Sequence, residues 1–408
     1  MTKKGQVMKV KFNGKEINIK RIGILTGGGD CAGHNAVILG LLRRISLENR
    51  SLPESEKMEL IGLLEGWKSL TRDPEEELNK IARPLKLKDI DESFKTAGTI
   101  LESSRTNLFS KANIEAKAPE KAMENLKKLN IDCLVVLGGD DTLGAAGKLG
   151  KQFSFPMFGA PKTMDNDVYG TDLTYGFESS VEESVHFIEN IKTTAKSHNR
   201  VFIVEVMGRH AGWVALYAGI AGGADVTLLP EEIVNLDNVM SLVKKALDYQ
   251  KHAIVVVSEG ARLFDTRYPE SINKRHQELL DVVISDPKYA LVKARHAMPK
   301  KKDSFGNEQL GGVGEYLFSI LEKHMGIELR YQNCGHAIRG GVAHVTDRIL
   351  GLRYGDAIFS FMKENKFGVY PGIEGDKIIA SNLLEVKGGR FVPENHQLFR
   401  MRNTAVYY

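Results

Sequence analysis

The stretch CLVVLGGDDTLGAA, Cys133–Ala146, joins an apolar run to a glycine turn that carries two adjacent carboxylates. The run CLVVL is short and continuously apolar, which is typical of a strand buried on both faces of a sheet. Two glycines end the strand, and Asp140 and Asp141 follow at once. Because ligands bind where the strands of an α/β sheet end, this turn is a candidate site. The second carboxylate needs a separate explanation, since one suffices to hold a metal.

The same pattern recurs along the chain, with helix-like segments between the apolar runs. The other runs that end in glycine or polar turns are Arg21–Asp30, Pro156–Asp167, Val201–Gly212 and Ala253–Arg262. Val181, Val185 and Ile188 fall on one face of a predicted helix. Ser180 is expected to cap the start of that helix, and Asp237–Gln250 has a similar periodicity. Strands that alternate with helices predict a parallel α/β sheet.

Length and charge narrow the class of protein. The chain has 408 residues, which is too many for one ordinary core, so two domains are expected. Its net charge of +4 is too dilute to indicate nucleic-acid binding. That charge suits an anionic small substrate if several arginines converge. The basic run Lys300–Lys302 is expected to be a solvated loop.

Cysteine usage and hydropathy indicate the compartment. Cys31, Cys133 and Cys334 form neither a disulfide framework nor a CxxC metal motif, so a reducing environment is expected. Cys133 lies in an apolar run and is expected in the core. The N-terminal sequence lacks the apolar core of a signal peptide, and no stretch approaches the ~20 apolar residues of a membrane span. A cytoplasmic protein without a membrane partner is therefore expected.

Two glycine turns have the composition of phosphate sites. In TGGGDCAGHN, Thr26–Asn35, a strand leads into glycines and then into a helix that begins near Gly33. Glycine backbone and a helix N-terminus both favour a phosphate, although a tight turn without a ligand has the same composition. In GGDDT, glycine backbone beside Asp140 suits a Mg²⁺–phosphate pair, and a plain polar turn is the alternative. GGD also occurs in NAD kinases and lipid kinases.

A third motif, PKTMDND at Pro161–Asp167, offers a base, a cation and a hydroxyl in one short turn. One carboxylate suits proton transfer from an attacking hydroxyl, and the other suits orientation of the site. A capped loop or a cation site is the alternative. Single arginines elsewhere are ordinary surface charges, but Arg330 and Arg339 flank a glycine-rich segment. Their planar guanidinium groups suit a phosphomonoester.

Together these motifs resemble the phosphofructokinase superfamily, and its phosphofructokinase A branch in particular. The matching motifs occur in the order ILTGGGDCAGHNAVI, GTILESSRTN, GGDDT, PKTMDND, VEVMGRHAGW, SEGAR and GHAIRGG, over about residues 20–350. The resemblance implies two Rossmann-like α/β domains with largely parallel sheets and the active site in the cleft between them. It implies a phosphoryl-donor domain at 1–176 and 339–390, and a sugar-phosphate-binding domain at 177–338 and 391–408.

The resemblance also implies a reaction and the residues that perform it. The reaction is reversible, Mg²⁺-dependent phosphoryl transfer to the 1-hydroxyl of fructose 6-phosphate, in glycolysis or gluconeogenesis. The implied catalytic residues are Asp165 as general base, Thr163, Arg209 and Lys162. The implied donor-binding residues are Gly29, Arg105, Asp141, Thr142 and Lys162, and the implied metal ligands are Asp140 and Asp167. The implied substrate-binding residues are Thr163, Asp165, Arg200, Met207, Gly208, Arg209, Glu259, Arg330, His336 and Arg339. Arg200 and Arg330 would serve a neighbouring subunit of a homodimer or homotetramer.

Asp141 and Lys162 indicate the phosphoryl donor. In this superfamily ATP users resemble GGDG, whereas pyrophosphate users resemble GGDD with a lysine in PKT, as in this chain. A side chain at position 141 occupies room that the α-phosphate and adenosine need, and its charge repels that phosphate. Lys162 adds a compact cation for a pyrophosphate oxygen. Pyrophosphate is therefore the expected donor, and ATP is the alternative.

Other function classes fit the sequence less well. A kinase of NAD or lipid leaves PKTMDND and GHAIRGG without roles. A non-catalytic regulatory subunit is disfavoured because Asp140, Asp165 and Asp167 are all present. A nucleic-acid binder lacks a basic stripe with interleaved aromatic residues. Other sugar phosphates, such as sedoheptulose 7-phosphate, are alternative acceptors.

Overall fold

The computed structural model describes residues 8–72, 80–264 and 312–408. The strands are β1 Met8–Phe12, β2 Lys15–Ile19, β3 Arg21–Thr26, β4 Glu59–Leu63, β5 Ala82–Pro84, β6 Cys133–Gly138, β7 Met157–Pro161, β8 Val201–Val206, β9 Val226–Leu228, β10 Ile233–Asn235, β11 Ala253–Ser258, β12 Arg262–Phe264, β13 Leu329–Asn333, β14 Val369–Glu374 and β15 Lys377–Asn382. The α-helices are α1 His34–Asn49, α2 Trp67–Leu70, α3 Lys111–Glu115, α4 Ala118–Lys128, α5 Asp140–Phe153, α6 Phe177–His198, α7 Trp213–Ala221, α8 Leu236–Gln250, α9 Val313–Met325, α10 Val345–Lys363 and α11 Gln397–Met401. The basic run Lys300–Lys302 lies outside the described residues.

The chain divides into two compact units, each with its own sheet and core. The described residues of the first unit are 8–72, 80–179 and 339–388, and those of the second are 180–264, 312–338 and 389–408. Separate buried apolar clusters lie in each of them. In each unit the parallel strands therefore end at an edge of that unit's own sheet, which is where ligands of α/β sheets bind.

The first unit is built on a seven-stranded sheet with the order β15-β14-β7-β6-β3-β4-β5. Its central strands are parallel, and the edge strands β15 and β5 are antiparallel to their neighbours. The strands β6 and β7 are buried along their whole length, which explains their continuously apolar sequences. Cys133, on β6, is completely buried, as predicted. The alternation of strands and helices thus predicted the sheet correctly.

The helices α1 and α10 pack closely against each other. A side chain on Gly40 would collide with the backbone of Leu352, and one on Gly355 would collide with the backbone of α1. The backbones therefore approach more closely than any residue but glycine permits. The helix α1 begins at His34, and Gly33 precedes it with φ 96°, as the predicted start near Gly33 required.

The second unit is built on a four-stranded parallel sheet with the order β13-β8-β11-β9, beside a short parallel pair, β10-β12. Both β8 and β11 are buried throughout. Val206 pairs with Ser258 at the ends of these strands, so the turns that follow them begin side by side. The helix α8 confirms the prediction for Asp237–Gln250, and Asn235 caps it by accepting a hydrogen bond from the amide of Asp237.

The start of α6 differs from the sequence prediction. The predicted cap of α6 at Ser180 is wrong, because the helix begins at Phe177. Ser180 lies inside the first turns, where its carbonyl accepts a hydrogen bond from the hydroxyl of Ser184. The last residues, 389–408, form an arm that contains α11 and no strand. Among the described helices none is long and apolar enough to cross a membrane.

Candidate active site

The carboxyl ends of β3 and β6 bring the two glycine turns of the first unit together. Thr26 pairs with Leu137 in the sheet, and the amide of Gly27 donates to the carbonyl of Leu137 at 2.9 Å. Thr142 is buried beneath both turns, where a Cβ on Gly27 would lie 2.7 Å and one on Gly138 2.5 Å from its methyl carbon. The glycines are therefore needed to accommodate Thr142, which packs against both turns.

Asp140 and Asp141 occupy the first turn of α5, whose N-terminal cap is Gly139. Carboxylates in a first turn are stabilised by the helix dipole, so neither charge is unfavourable for folding. Asp140 is half-buried, and Asp141 is exposed. Gly388 lies directly against Asp140, since a Cβ on it would be 2.5 Å from Oδ2. The two adjacent carboxylates therefore have different surroundings.

The loop after β7 presents the residues of the PKTMDND motif from a hydrogen-bonded backbone. The amide of Lys162 donates to the carbonyl of Gly138 at 2.9 Å, which joins this loop to the end of β6. The hydroxyl of Thr163 accepts from the amide of Asp165 at 3.1 Å, and the carbonyl of Thr163 accepts from the hydroxyl of Thr174 at 2.7 Å. These bonds hold Lys162, Thr163 and Asp165 in a fixed turn.

Two predicted carboxylates of the first unit, Asp165 and Asp140, act electrostatically on a third, Asp167. The pKa of Asp167 is raised to about 7, first by burial and then by the charges of Asp165 and Asp140. A cation at this position would relieve that repulsion. Among the described residues no cluster of three or more His, Cys, Asp or Glu side chains has metal-binding geometry. The donor set fits a Mg²⁺ ion that one or two carboxylates share with phosphate oxygens, which is the usual protein contribution to such sites.

Replacing Asp167 with asparagine is expected to flatten the pH dependence of stability. Because its pKa rises from 3.8 to about 7 on folding, the folded state holds the extra proton. The resulting stabilisation is complete below the unfolded pKa and is lost as the pH rises to about 7. Each pKa unit is worth about 1.4 kcal/mol, so the melting temperature of the metal-free protein should fall measurably between about pH 5 and about pH 8. Thermal melts should show a smaller fall for Asp167→Asn.

Addition of Mg²⁺ provides the control for this prediction. Since metal binding requires the deprotonated carboxylate, Mg²⁺ should raise the melting temperature of the unsubstituted protein more at about pH 8 than at about pH 6. Asp167→Asn should lose most of that difference. Identical pH slopes in the two proteins would contradict the assignment of the titration to Asp167.

Lys162 is buried against the first glycine turn. Its side chain is 6% exposed, and its amine lies 3.6 Å from the position that a Cβ on Gly28 would take. Burial lowers the pKa of Lys162 and Arg339 lowers it further, while Asp165 and Asp167 oppose the change. A compact cation held beside bare glycine backbone is suited to a phosphate oxygen.

Arg339, expected to bind the sugar phosphate, lies in the first unit against the predicted donor turn. Its guanidinium donates to the carbonyl of Asp30 at 3.1 Å, and a side chain on Gly29 would collide with it. The structure thus groups Arg339 with Gly29. Its role towards the sugar phosphate stays a prediction.

Arg105 follows a segment that crosses the first glycine turn. The hydroxyl of Ser103 donates to the carbonyl of Gly28 at 2.7 Å, and the carbonyl of Ser104 accepts from the amide of Gly28 at 2.9 Å. Arg105 is exposed at the end of this segment. The predicted donor residues Gly29, Arg105, Thr142 and Lys162 are therefore all attached to one backbone framework in the first unit.

The predicted sugar residues Met207, Gly208, Arg209 and Glu259 lie on the turns after β8 and β11 of the second unit. Gly208 has φ 135°, and its carbonyl accepts from the hydroxyl of Ser258 at 2.6 Å and from the amide of Gly260 at 3.1 Å. A side chain on Gly260 would collide with the carbonyl of Arg209. The turn after β11 therefore fixes the first half of the turn after β8.

Arg200, which immediately precedes β8, and Arg330, on the neighbouring strand β13, come together in the second unit. Both donate to the same carboxylate oxygen of Glu328, at 2.7 Å and 2.6 Å. The hydrogen bond from Arg200 is the main cause of the lowered pKa of Glu328. Each guanidinium carries five N–H donors, so a pair in this position is suited to a phosphate. His336 is exposed on the 3₁₀ turn Gly335–Arg339.

Sequence reasoning missed buried polar residues around the first glycine turn. His34 is fully buried, with Nδ1 3.4 Å from the hydroxyl of Tyr175, and burial followed by the charge of Lys162 holds its pKa well below the usual value. Asp347 accepts from the amide and the hydroxyl of Ser179, at 2.8 Å and 2.5 Å. Asp347 and Ser179 are 168 residues apart, so no local sequence pattern reveals their hydrogen bonds.

Comparison with known proteins identifies the family. The family model for phosphofructokinase matches residues 21–362. This chain belongs to the phosphofructokinase family. Among related phosphofructokinases, the pyrophosphate–fructose 6-phosphate 1-phosphotransferase of Dictyoglomus thermophilum is 38% identical over 90% of this chain and 93% of its own length. The enzyme of the same name from Amycolatopsis methanolica is 37% identical over 90% of this chain and 94% of its own length. The ATP-dependent 6-phosphofructokinase of Corynebacterium efficiens is 35% identical over 88% of this chain and 91% of its own length.

Solved structures of phosphofructokinases share the fold. The pyrophosphate-dependent phosphofructokinase of Marinobacter aquaeolei superposes with a TM-score of 0.70 at 21% identity, over 94% of this chain and 91% of that one. The pyrophosphate-dependent phosphofructokinase of Nitrosospira multiformis superposes with a TM-score of 0.72 at 20% identity, over 95% of this chain and 92% of that one. The predicted family and the predicted α/β fold with parallel-rich sheets are thereby confirmed. Because the relatives include enzymes named for either donor, the donor depends on this chain's own residues.

Proposed function

We propose that this phosphofructokinase transfers a phosphoryl group from pyrophosphate to the 1-hydroxyl of fructose 6-phosphate, reversibly and with Mg²⁺. The observation that carries the choice of donor is the pair Asp141 and Lys162. Asp141 is an exposed carboxylate in the first turn of α5, and Lys162 is a buried cation beside Gly28. In this proposal the first unit holds the donor, and the second unit holds the sugar phosphate.

Charge explains why this pair favours pyrophosphate. Two like charges about 4 Å apart repel by about 4 kcal/mol near a protein surface, so a carboxylate at position 141 disfavours the α-phosphate of a nucleotide. Pyrophosphate has no third phosphate and no nucleoside, so it avoids that charge. Lys162 supplies a positive charge next to glycine amides, which stabilises a terminal phosphate oxygen.

The proposed chemistry depends mainly on positioning and on charge neutralisation, because phosphoryl transfer has a loose transition state. Asp165 takes the proton of the 1-hydroxyl as the sugar oxygen bonds to phosphorus. The hydrogen bond from its amide to Thr163 fixes the backbone from which it reaches the sugar. Lys162 and Arg209 neutralise the charge on the transferring group. Bound by Asp140 and Asp167, Mg²⁺ would neutralise further phosphate charge.

A donor comparison tests the proposal. With fructose 6-phosphate and Mg²⁺, kcat/KM for pyrophosphate should exceed that for ATP by about 100-fold or more, since like-charge repulsion of several kcal/mol acts against ATP alone. Chelation of Mg²⁺ should abolish turnover, and fructose 1,6-bisphosphate with phosphate should yield pyrophosphate. Equal or faster turnover with ATP would favour the ATP-dependent alternative.

The proposal includes a homodimer or homotetramer that acts in the cytoplasm. Arg200 and Arg330, joined through Glu328, form a basic pair suited to the 6-phosphate bound by a neighbouring subunit. Cys31, Cys133 and Cys334 are free and buried, which supports a reducing compartment. Sedimentation of the purified protein checks the assembly.

A further inference from the structure

The C-terminal arm, residues 389–408, is tied to the turn that carries Met207, Gly208 and Arg209. The amide of Gly212, at the end of that turn, donates to Oε1 of Glu231 at 2.8 Å. The amide of Val392, in the arm, donates to the same oxygen at 2.9 Å. One carboxylate oxygen therefore joins the arm to the turn, through bonds that are stronger than neutral ones because the acceptor is charged.

Trp213, the first residue of α7, makes a second link to the arm. Its indole N–H donates to the carbonyl of Arg390 at 2.8 Å. The guanidinium of Arg390 lies 4.8 Å from the centre of its ring, and the ring of His396 meets it edge to face at 5.3 Å. Trp213 is 4% exposed, so its N–H depends on this carbonyl for a partner.

The far end of the arm is attached to β9 and to the residues that precede it. The side chain of Asn403 accepts from the amide of Thr227 at 2.8 Å, and the hydroxyl of Thr404 donates to the carbonyl of Ala224 at 2.9 Å. The hydroxyl of Tyr408 donates to Asp225 at 3.1 Å. The arm is thus held at both ends.

We propose that Glu231 is a positioning residue, through which the arm sets the position of Arg209 and its turn towards the sugar phosphate. The first half of the turn is already fixed by Ser258 and Gly260, whereas its last residue, Gly212, depends on Glu231. The backbone beside Glu231 is itself held, because Arg262 donates to the carbonyl of Pro230 at 3.0 Å. Loss of the carboxylate therefore releases one end of the turn and leaves the sheet intact. This inference rests on the proposed function for the identity of the sugar.

Replacement of Glu231 with alanine is the main test. The KM for fructose 6-phosphate should rise about tenfold, because charge-assisted hydrogen bonds are lost and the turn shifts. The KM for pyrophosphate should stay within about twofold, since none of the residues expected to bind the donor is touched, whereas kcat should also fall because Arg209 faces the transferring group. Glu231→Gln keeps an oxygen that accepts both amides, so it should recover most of the affinity. Trp213→Phe removes the indole N–H together with part of the ring, and it should shift the same constant in the same direction. This second variant keeps the test decisive if the alanine variant does not fold.

Tyr408→Phe is the matched control, because it removes an arm contact that does not reach the turn. It should leave both constants unchanged. Calorimetric titration with fructose 6-phosphate alone separates the two proposals. Absent turnover with pyrophosphate but normal sugar binding counts against the proposed donor only. A folded Glu231→Ala protein with unchanged sugar affinity, or with equal changes in both constants, overturns the positioning role.

Discussion

Asp165→Asn is expected to lower kcat by about 10²–10⁴-fold, the usual contribution of general acid–base catalysis. The amide has the same shape as the carboxylate but does not accept the proton of the 1-hydroxyl. The amide of residue 165 still donates to Thr163, so the loop should keep its conformation. Steady-state kinetics with fructose 6-phosphate and pyrophosphate measure the loss.

Binding distinguishes loss of a base from loss of structure. Affinity for fructose 6-phosphate, measured without donor, should change little in Asp165→Asn and in Asp165→Ala. Asp376→Asn is a matched control in the same unit, because Asp376 is fully exposed and contacts only Arg353 among the ion pairs of the described residues. The control should have unchanged kcat. Near-normal turnover in Asp165→Asn would remove Asp165 as the base.

The sequence predicted the fold well where the signal is local. Strands buried on both faces are continuously apolar, so β6, β7, β8 and β11 stand out without any knowledge of their neighbours. The glycine turns follow these strands and predict where ligands bind. The start of α1 after Gly33 was also predictable, since a left-handed glycine precedes it.

The remaining features depend on contacts between distant parts of the chain. The motif GHAIRGG groups Arg339 with His336, yet the guanidinium of Arg339 contacts Asp30, 309 residues away. The partner of Glu231 in the arm is 161 residues away. The predicted cap at Ser180 is wrong for a related reason, because α6 begins at Phe177, four residues before Val181, the first residue of its apolar stripe. Sequence periodicity reports a buried face and carries little information about helix ends.

The double variant Asp141→Gly with Lys162→Gly is expected to shift the ratio of kcat/KM for ATP over pyrophosphate by about 100-fold or more in favour of ATP. The first change removes the charge and the side chain that oppose a nucleotide. The second removes the cation beside Gly28 that favours a small inorganic donor. Asp141→Gly alone should mainly raise the use of ATP, and Lys162→Gly alone should mainly lower the use of pyrophosphate.

Asp237→Gly controls for the cost of glycine in a first helical turn. Asp237 is the second residue of α8, as Asp141 is of α5, and both are acidic residues in the first turn. Each change should cost about 1 kcal/mol of stability through helix propensity and the helix dipole, but only the change at position 141 should alter donor choice. If the double variant does not use ATP better relative to pyrophosphate, the second carboxylate of GGDDT is no barrier to nucleotides. Its place would then be explained by the dipole of α5 alone, and the donor would have to be selected elsewhere in the chain.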